Sequence, residues 1–513
     1  MGARITPTLG AILTICTLCL GAASAAGAAS GVLAHNAYGG APPEVRSAGA
    51  GQWPLPGHDY DNTRDAGSSP ITARSISKLV TAWSVPMTGA LTTAPIILGD
   101  RMYVEDNSGS VASISRSTGL VIWRSKALGF SIGPNGVAVG WGKIFAATSN
   151  GVAALNSATG RVIWNRPLTT TASEGVDIQP TVVDGLVLMA TVPVGVGGIY
   201  EGGDRGWLFA LHEATGKNAW SFDTVASPDL WGNPAVNSGG GAWYPPSIDQ
   251  AANRVYWGTA NPAPFPGTPQ FPNGTSRPGS NLYTDSTVAL NLRTGHLEWY
   301  HQATSHDIFD RDFVHTMIVD IPRSGRQVVV GTGKSGLVVG LDPASGRLLW
   351  HTLVGLHQNG ELRALAGPTV VLPGTFGGVL PPPASANGAV YVATLNAPDT
   401  LYPDRTAYFG GKIGTYPGDV VALNGATGKI IWDTKVPGDP TGAATVVNNL
   451  VLTATDQGSL VALNRATGKI VWVHTLPGAV DGWLSIAGNL VVIPIGGTHP
   501  PEVLALRLPT TTT

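Results

Sequence analysis

Cysteine is nearly absent from this chain. Its 513 residues include two, Cys16 and Cys19, and both lie in the apolar stretch LGAILTICTLCL. That stretch follows Arg4 and precedes Ala23-Ser24-Ala25, the order of a secretory signal: a positive start, a short apolar run and a small-residue cleavage site. Residues 1–26 are therefore expected to be removed, leaving a secreted or periplasmic protein with no stable membrane span. A mature chain without cysteine excludes disulfides, thiolate metal sites and haem attachment through CxxCH. Charge is scarce as well. Asp, Glu, Lys and Arg make up 12% of the residues, the net charge is -2, and no Lys/Arg run occurs. This excludes the basic footprint of a nucleic-acid or anionic-membrane partner. A hydrolase nucleophile motif is missing too.

What the chain does have is 68 Gly, 39 Pro, 15 Trp and 43% hydrophobic residues. That composition is rich in turns and too apolar for disorder. Residues 27–50, rich in Ala and Gly, read as a flexible leader. The fold is expected to occupy 51–509 as a single domain, with 510–513 a short tail.

A repeat sets the architecture. Seven segments share one pattern: VASISRSTGLVIW, VAALNSATGRVIW, LFALHEATGKNAW, TVALNLRTGHLEW, VVGLDPASGRLLW, VVALNGATGKIIW and LVALNRATGKIVW. In each, a Trp follows the Gly by four positions, from Gly119 and Trp123 to Gly468 and Trp472. One unit reads as an apolar strand, a turn whose Gly can take positive φ, and a second strand carrying the Trp inward. Such a hairpin cannot bury its own faces, and radial stacking of small antiparallel sheets supplies the missing burial. LVTAWSV (79–85) brings a Trp strand without its hairpin partner, and PEVLALRLP (501–509) brings the partner without a Trp. Joined, they complete an eighth unit and close a ring. The expected fold is an all-β, eight-bladed propeller of four-stranded antiparallel blades. The long intervals 220→299 and 350→432 hold Gly- and Pro-rich insertions, where a site is most readily built.

Just after the fourth repeat Trp, Trp299, and outside those two insertions, comes SHDIFDRDF (305–313), with Asp307, Asp310 and Asp312 close together in a charge-poor chain. In an extended segment Asp310 and Asp312 share a face and Asp307 points the other way. Oxygen ligands of this kind suit a hard cation.

The repeat AL(D/N)-x-x-TG-x-x-x-W resembles the tryptophan-docking repeat of dehydrogenases dependent on pyrroloquinoline quinone (PQQ), across essentially the whole mature chain. The opening WPLPGHDYDNTR (53–64) is similar to the start of polyvinyl-alcohol dehydrogenases and related quinoprotein alcohol dehydrogenases. Three further stretches carry the likeness to the site. YEGGDRGW (200–207) is similar to AEFGVRGF, which implies Glu201 as a metal ligand. GTANPAPF (258–265), similar to GNPAPW, implies Asn261 as a side-chain oxygen ligand, and the match continues through RPGSNLYTDSTVAL (277–290). HDIFDRDF is similar to HDxWDYD, which implies Asp310 as catalytic base and metal ligand, with Asp312 where lanthanide-using members carry an extra carboxylate.

For the cofactor, the resemblance implies Trp243 in GGGAWYPP beneath the quinone, Lys334 in TGKSGLVVGLD beside its oxygens, and Asn396 in VYVATLN as a further contact. It implies PQQ with Ca2+ or a lanthanide, a small-molecule or polymeric alcohol or polyol as substrate, and an external acceptor such as a cytochrome c. Asp307 matches a position that is not a ligand. The chain departs from the family pattern in lacking the vicinal cysteine pair, in Asn135 where Arg is usual, and in Thr92 where an acidic residue is usual. The competing expectation is a cofactor-free propeller of the outer-membrane assembly type, serving as a binding scaffold.

Overall fold

The computed structural model describes residues 40–131, 133–194, 202–406, 412–496 and 499–509. Eight antiparallel sheets, each built on four strands, follow one another along the chain, and the eight-bladed ring is the architecture expected from the repeats. The first strand of each sheet lies innermost, touching its counterparts in adjacent blades. The closing blade joins the two ends: Val80–Pro86 pairs antiparallel with Glu502–Arg507, which continues to Leu490–Ile495 and Ser485–Ala487. Helix is limited to Pro43–Arg46 and three short 3-10 turns among the described residues. No helix there is long and apolar enough to cross a membrane.

The repeat has a clear physical meaning, and it lies between blades rather than within one. The sequence places the Trp inward in its own hairpin; the structure instead seats it on the turn of the following blade. The indole N–H groups of Trp83, Trp123, Trp164, Trp220, Trp299, Trp350 and Trp432 donate to turn carbonyls of the next blade at 2.8–3.2 Å. The ring packs on the turn glycine. A Cβ added to that glycine would lie 2.4–2.9 Å from the indole in all seven turns, and the same glycines hold φ between +66° and +77°. Glycine is thus required twice over, for its backbone and for its missing side chain. Asn156, Asn291, Asn424 and Asn464 lock the turns, each Oδ1 accepting from the amides two and three residues on at 3.0–3.2 Å. This is the Asx turn that makes Asn the favoured residue before the TG pair.

The flexible leader ends earlier than the composition suggests. Ala41 and Val45 are buried in the core. The Glu44 carboxylate accepts from the amides of Trp141 at 2.9 Å and Gly142 at 2.6 Å. A small-residue composition permits mobility but does not enforce it, and two apolar anchors with one acid suffice to dock residues 40–46. The signal segment 1–26 lies outside the described residues.

Docking of this kind is testable at Trp220, which is 6% exposed. Trp220→Ala is expected to cost about 3–5 kcal/mol in a denaturant titration. Gly295→Ala, on the opposite side of the same contact, is expected to cost roughly 1–3 kcal/mol from strained φ and overpacking. An unchanged midpoint for Gly295→Ala would contradict the account.

Candidate active site at the propeller axis

The segments that lead into the eight innermost strands converge on one cavity of about 260 Å³. Thr92, Gly133, Asp177, Trp243, Asp312, Leu380, Thr441 and Trp483 each come from a different blade. The ring, not any local motif, assembles the site.

At its edge stands a buried group of three charges. The Lys334 ammonium donates to Asp310 Oδ2 at 2.9 Å and to Asp312 Oδ2 at 2.6 Å. The side chains of Lys334 and Asp310 are 11% exposed and that of Asp312 is 4% exposed. Asp312 Oδ1 accepts from the Asn261 amide at 2.7 Å. The Asn261 side-chain amide donates to the Pro262 carbonyl at 3.1 Å, and its Oδ1 faces no protein donor among the described residues. The ammonium also lies 5.3 Å from the centroid of the Trp243 ring, within cation–π range. Burial pushes the Asp310 carboxyl upward, with Lys334 opposing that shift and Asp312 reinforcing it. Lys334 is held well above its ordinary value, because both carboxylates outweigh its desolvation.

The loop is shaped for this. Asp310 adopts φ +64°, a left-handed conformation that Asp tolerates better than most side chains. Asp307 holds it there: its two oxygens accept from the amides of Phe309 at 2.8 Å and Arg311 at 2.6 Å, on either side of Asp310. The fully buried Arg277 guanidinium binds the Asp307 carbonyl, the Asn281 side chain at 2.7 Å and the Pro264 carbonyl at 2.9 Å. The long sequence run that begins at Arg277 is therefore a brace that ties the Asn261 loop to the Asp310 loop.

Four of the sequence-derived site residues line the cavity, Trp243, Asn261, Asp312 and Lys334, and Asp310 joins them through its bond to Lys334 without standing on the wall. Glu201 lies outside the described residues. Asn396 does not line the cavity. Its amide is spent on the backbone and a neighbour, accepting from Leu356 N at 2.8 Å and donating to Pro417 O at 2.8 Å and Asp419 Oδ2 at 2.7 Å. Thr92 and Asn135 form a neutral pair, the Thr92 hydroxyl donating to Asn135 Oδ1 at 3.2 Å. Both positions thus depart from the family pattern together.

Sequence reasoning missed three wall residues. Tyr244 stacks on Trp483 at 5.0 Å and 26° and donates its hydroxyl to Leu380 O at 2.7 Å. Asp177, with Oδ1 buried and unpartnered among the described residues, is pushed up to about 8 by burial and by Asp312. Asp177 and Trp483 stand in no repeat, and Tyr244 was passed over beside Trp243. Their common feature is position, a few residues before an innermost strand. Asp285, next to the brace, is fully buried with both oxygens unpartnered, and burial raises it well above the carboxylate range.

A partly apolar cavity with Trp243, Tyr244 and Trp483 on its wall suits a flat conjugated ring system. Asn261, Asp310 and Asp312 offer oxygens of the type a hard cation takes, but the Lys334 ammonium now stands between the two carboxylates, and no cluster of three His, Cys, Asp or Glu side chains suited to a metal occurs among the described residues. Carboxylates Asp177, Asp312 and Asp481 outnumber Lys334, the one cationic side chain on the wall among the described residues. Asp177 keeps its proton at neutral pH while no cation is near, and an added positive charge would favour its release.

Lys334→Met is expected to destabilise the metal-free protein by about 3–5 kcal/mol, since it strands two buried carboxylates, and Asp312→Asn in the same chain is expected to restore part of that loss. Asp177 binds its proton more tightly folded than unfolded. Stability of the metal-free protein should therefore fall as pH rises from near 4 towards about 8. Asp177→Asn is expected to flatten that decline in thermal scans across pH; an identical slope would contradict the assignment.

The family model described as "Glucose/ethanol/alcohol dehydrogenase, beta-propeller domain" matches residues 170–354, and that of outer membrane protein assembly factor BamB matches 80–198 and 416–499. The quinohemoprotein alcohol dehydrogenase of Comamonas testosteroni is 28% identical over 453 residues, covering 77% of this chain and 62% of that one. Its crystal structure superposes with TM-score 0.77 at 23% identity, covering 91% of this chain and 83% of that one. The polyvinylalcohol dehydrogenase of Sphingopyxis sp. (strain 113P3) is 25% identical over 477 residues, covering 77% and 68%. A europium-containing methanol dehydrogenase matches with TM-score 0.76 at 21% identity, covering 90% and 98%. The chain spans less than two thirds of the length of the Comamonas relative. The repeats and the ring agree with these likenesses: this chain is an all-β, eight-bladed propeller, similar in sequence to quinohemoprotein and polyvinylalcohol dehydrogenases and in fold to the solved quinohemoprotein alcohol dehydrogenase.

Proposed function

We propose that the chain is an extracytoplasmic dehydrogenase that oxidises an alcohol or polyol with PQQ and a hard cation, calcium or a lanthanide. Its electrons leave to an external acceptor such as a cytochrome c. The observation that carries this reading is the buried Lys334–Asp310–Asp312 group at the mouth of an aromatic cavity. Burying three charges is costly, and well-packed apolar residues would be at least as stabilising, so a purely structural role is a poor account of it.

Oxidation of an alcohol to a carbonyl compound releases two electrons and two protons, and PQQ supplies the acceptor for the electron pair. In this reading Asp310 accepts the hydroxyl proton. The oxygens of Asp310, Asp312 and Asn261 hold the cation, with Glu201 as a further ligand. Asp310, raised by burial, would be held in its carboxylate form beside a cation and so be ready to act as the base. Trp243 offers its face to the planar ring, and Lys334 places an ammonium where negative charge develops. Asp312 adds an anionic oxygen, which favours a trivalent over a divalent ion. Localisation rests on the N-terminal signal pattern.

The match to the assembly factor suggests a scaffold instead, yet that role gives the buried charge group nothing to do. Purified protein reconstituted with PQQ and either calcium or a lanthanide is expected to oxidise alcohols in a dye-linked assay, with no turnover when either PQQ or metal is omitted. Asp310→Asn should lower kcat by roughly 10²–10⁴-fold while PQQ stays bound. Absence of PQQ-dependent turnover on small and polymeric alcohols in every metal condition would sink the reading, as would full activity in Asp310→Asn. Asp312→Asn is expected to shift the preference towards calcium.

A further inference from the structure

Behind the Asp310 loop lies a second cavity of about 240 Å³, separated from the first by a partition one loop thick. Asp312 and Lys334 face the axial cavity, whereas their neighbours Arg311 and Ser335 face this one. Arg311 is 4% exposed. Its guanidinium has no hydrogen-bond acceptor and no ion-pair partner within reach among the described residues, and its Nη2 is buried without a partner. Its one close side-chain contact is the Phe309 ring, 5.1 Å from Cζ to the centroid. The nearby acids Asp307, Asp310 and Asp285 act on it through the field alone. Both oxygens of Asp307 are taken by backbone amides, and Asp310 Oδ2 is taken by Lys334. In the pattern HDxWDYD this position is Tyr, and here it is Arg.

A guanidinium carries five N–H donors in a rigid fork, and burying it with none of them paired is costly. A carboxylate satisfies two donors at once in the bidentate geometry that matches the fork. The rest of the wall says what the carboxylate is attached to. Phe309, Leu337 and Leu353 form an apolar side, Arg363 and Glu361 stand exposed at the rim as an opposed pair of charges, and the Asp307 carboxylate on the wall has both oxygens taken by backbone amides. We propose that this cavity is a separate binding site for a small organic acid, whose carboxylate pairs with Arg311 and whose short apolar body lies on that side. The cavity shares with the axial site the Asp310 loop and the turn at Lys334 and Ser335, and the proposal holds whether or not the chain oxidises alcohols.

Butyrate and its neutral isostere butyramide are suitable probes, titrated calorimetrically and in thermal scans of the cofactor-free chain. Butyrate is expected to bind one per chain and raise the unfolding midpoint, with butyramide at least about tenfold weaker. Arg311→Gln should abolish the difference between the two probes, and Arg363→Ala should weaken butyrate binding modestly. If Arg311→Gln does not fold, the isostere comparison on the unaltered chain still decides. Equal binding of butyrate and butyramide, no binding of either, or an unchanged preference in folded Arg311→Gln would overturn the proposal. Inorganic phosphate binding more tightly than butyrate would overturn the organic-acid assignment.

Discussion

The contact between one blade's tryptophan and the next blade's turn glycine is the constraint on which the molecule depends. Each blade is a small sheet with too little apolar surface to be stable alone. Seven repeated contacts, each an indole packed on a glycine and donating to a turn carbonyl, turn eight marginal units into one ring. The N-terminal Trp strand and the C-terminal strand share the last blade, so the ring is closed by hydrogen bonds and its ends cannot fray independently. A ring closed in this way is rigid where it matters, because the innermost strands are the part of each blade held from both sides.

That rigidity explains how a charge-poor chain sustains a charged centre. The segments before the innermost strands are polar in places and each is anchored at one end by a strand, so eight of them can crowd a single axis. Burial there raises Asp310, Asp177 and Asp285 above the usual carboxylate range. The Lys334 ammonium offsets the Asp310–Asp312 repulsion, but one cation does not balance every acid that faces the cavity. Carboxyls raised in this way keep their protons while no cation is near, and their oxygens become anionic ligands when a cation displaces those protons. Asp307 and Arg277 hold the arrangement in place without facing the cavity, which accounts for the length of the motif that carries Arg277.

The fold was legible because it is periodic. The spacing of Gly and Trp exposed the hairpins, and the orphaned end strands exposed the closing blade. Which glycine each tryptophan meets was not legible, since that pairing is long-range and the pattern reads the same whether the ring packs at home or next door. The docked leader was hidden because Ala and Gly, mobile in general, here meet an open groove. Within the site, Asp310, Asp312, Asn261, Trp243 and Lys334 could be found through local motifs that resemble a known family. Asn396 also sat in such a motif, yet its amide is consumed by backbone and Asp419. Asp177 and Trp483 carry no local signal at all; only the convergence of blades gives them a place. Arg311 was visible as a residue but not as an unpaired one, because hydrogen-bond satisfaction is a property of the folded state.

The central claim is that the axial cavity, with its buried Lys334–Asp310–Asp312 group, is a cation-dependent cofactor site. Equilibrium titration of PQQ against the chain's tryptophan fluorescence, with and without calcium or lanthanum, tests it most directly because Trp243 and Trp483 line that cavity. The account predicts saturable one-to-one quenching that requires the cation and is lost when Asp310 and Asp312 are both changed to Asn. Quenching that ignores the cation and survives the double substitution, or none under any metal condition, would contradict it.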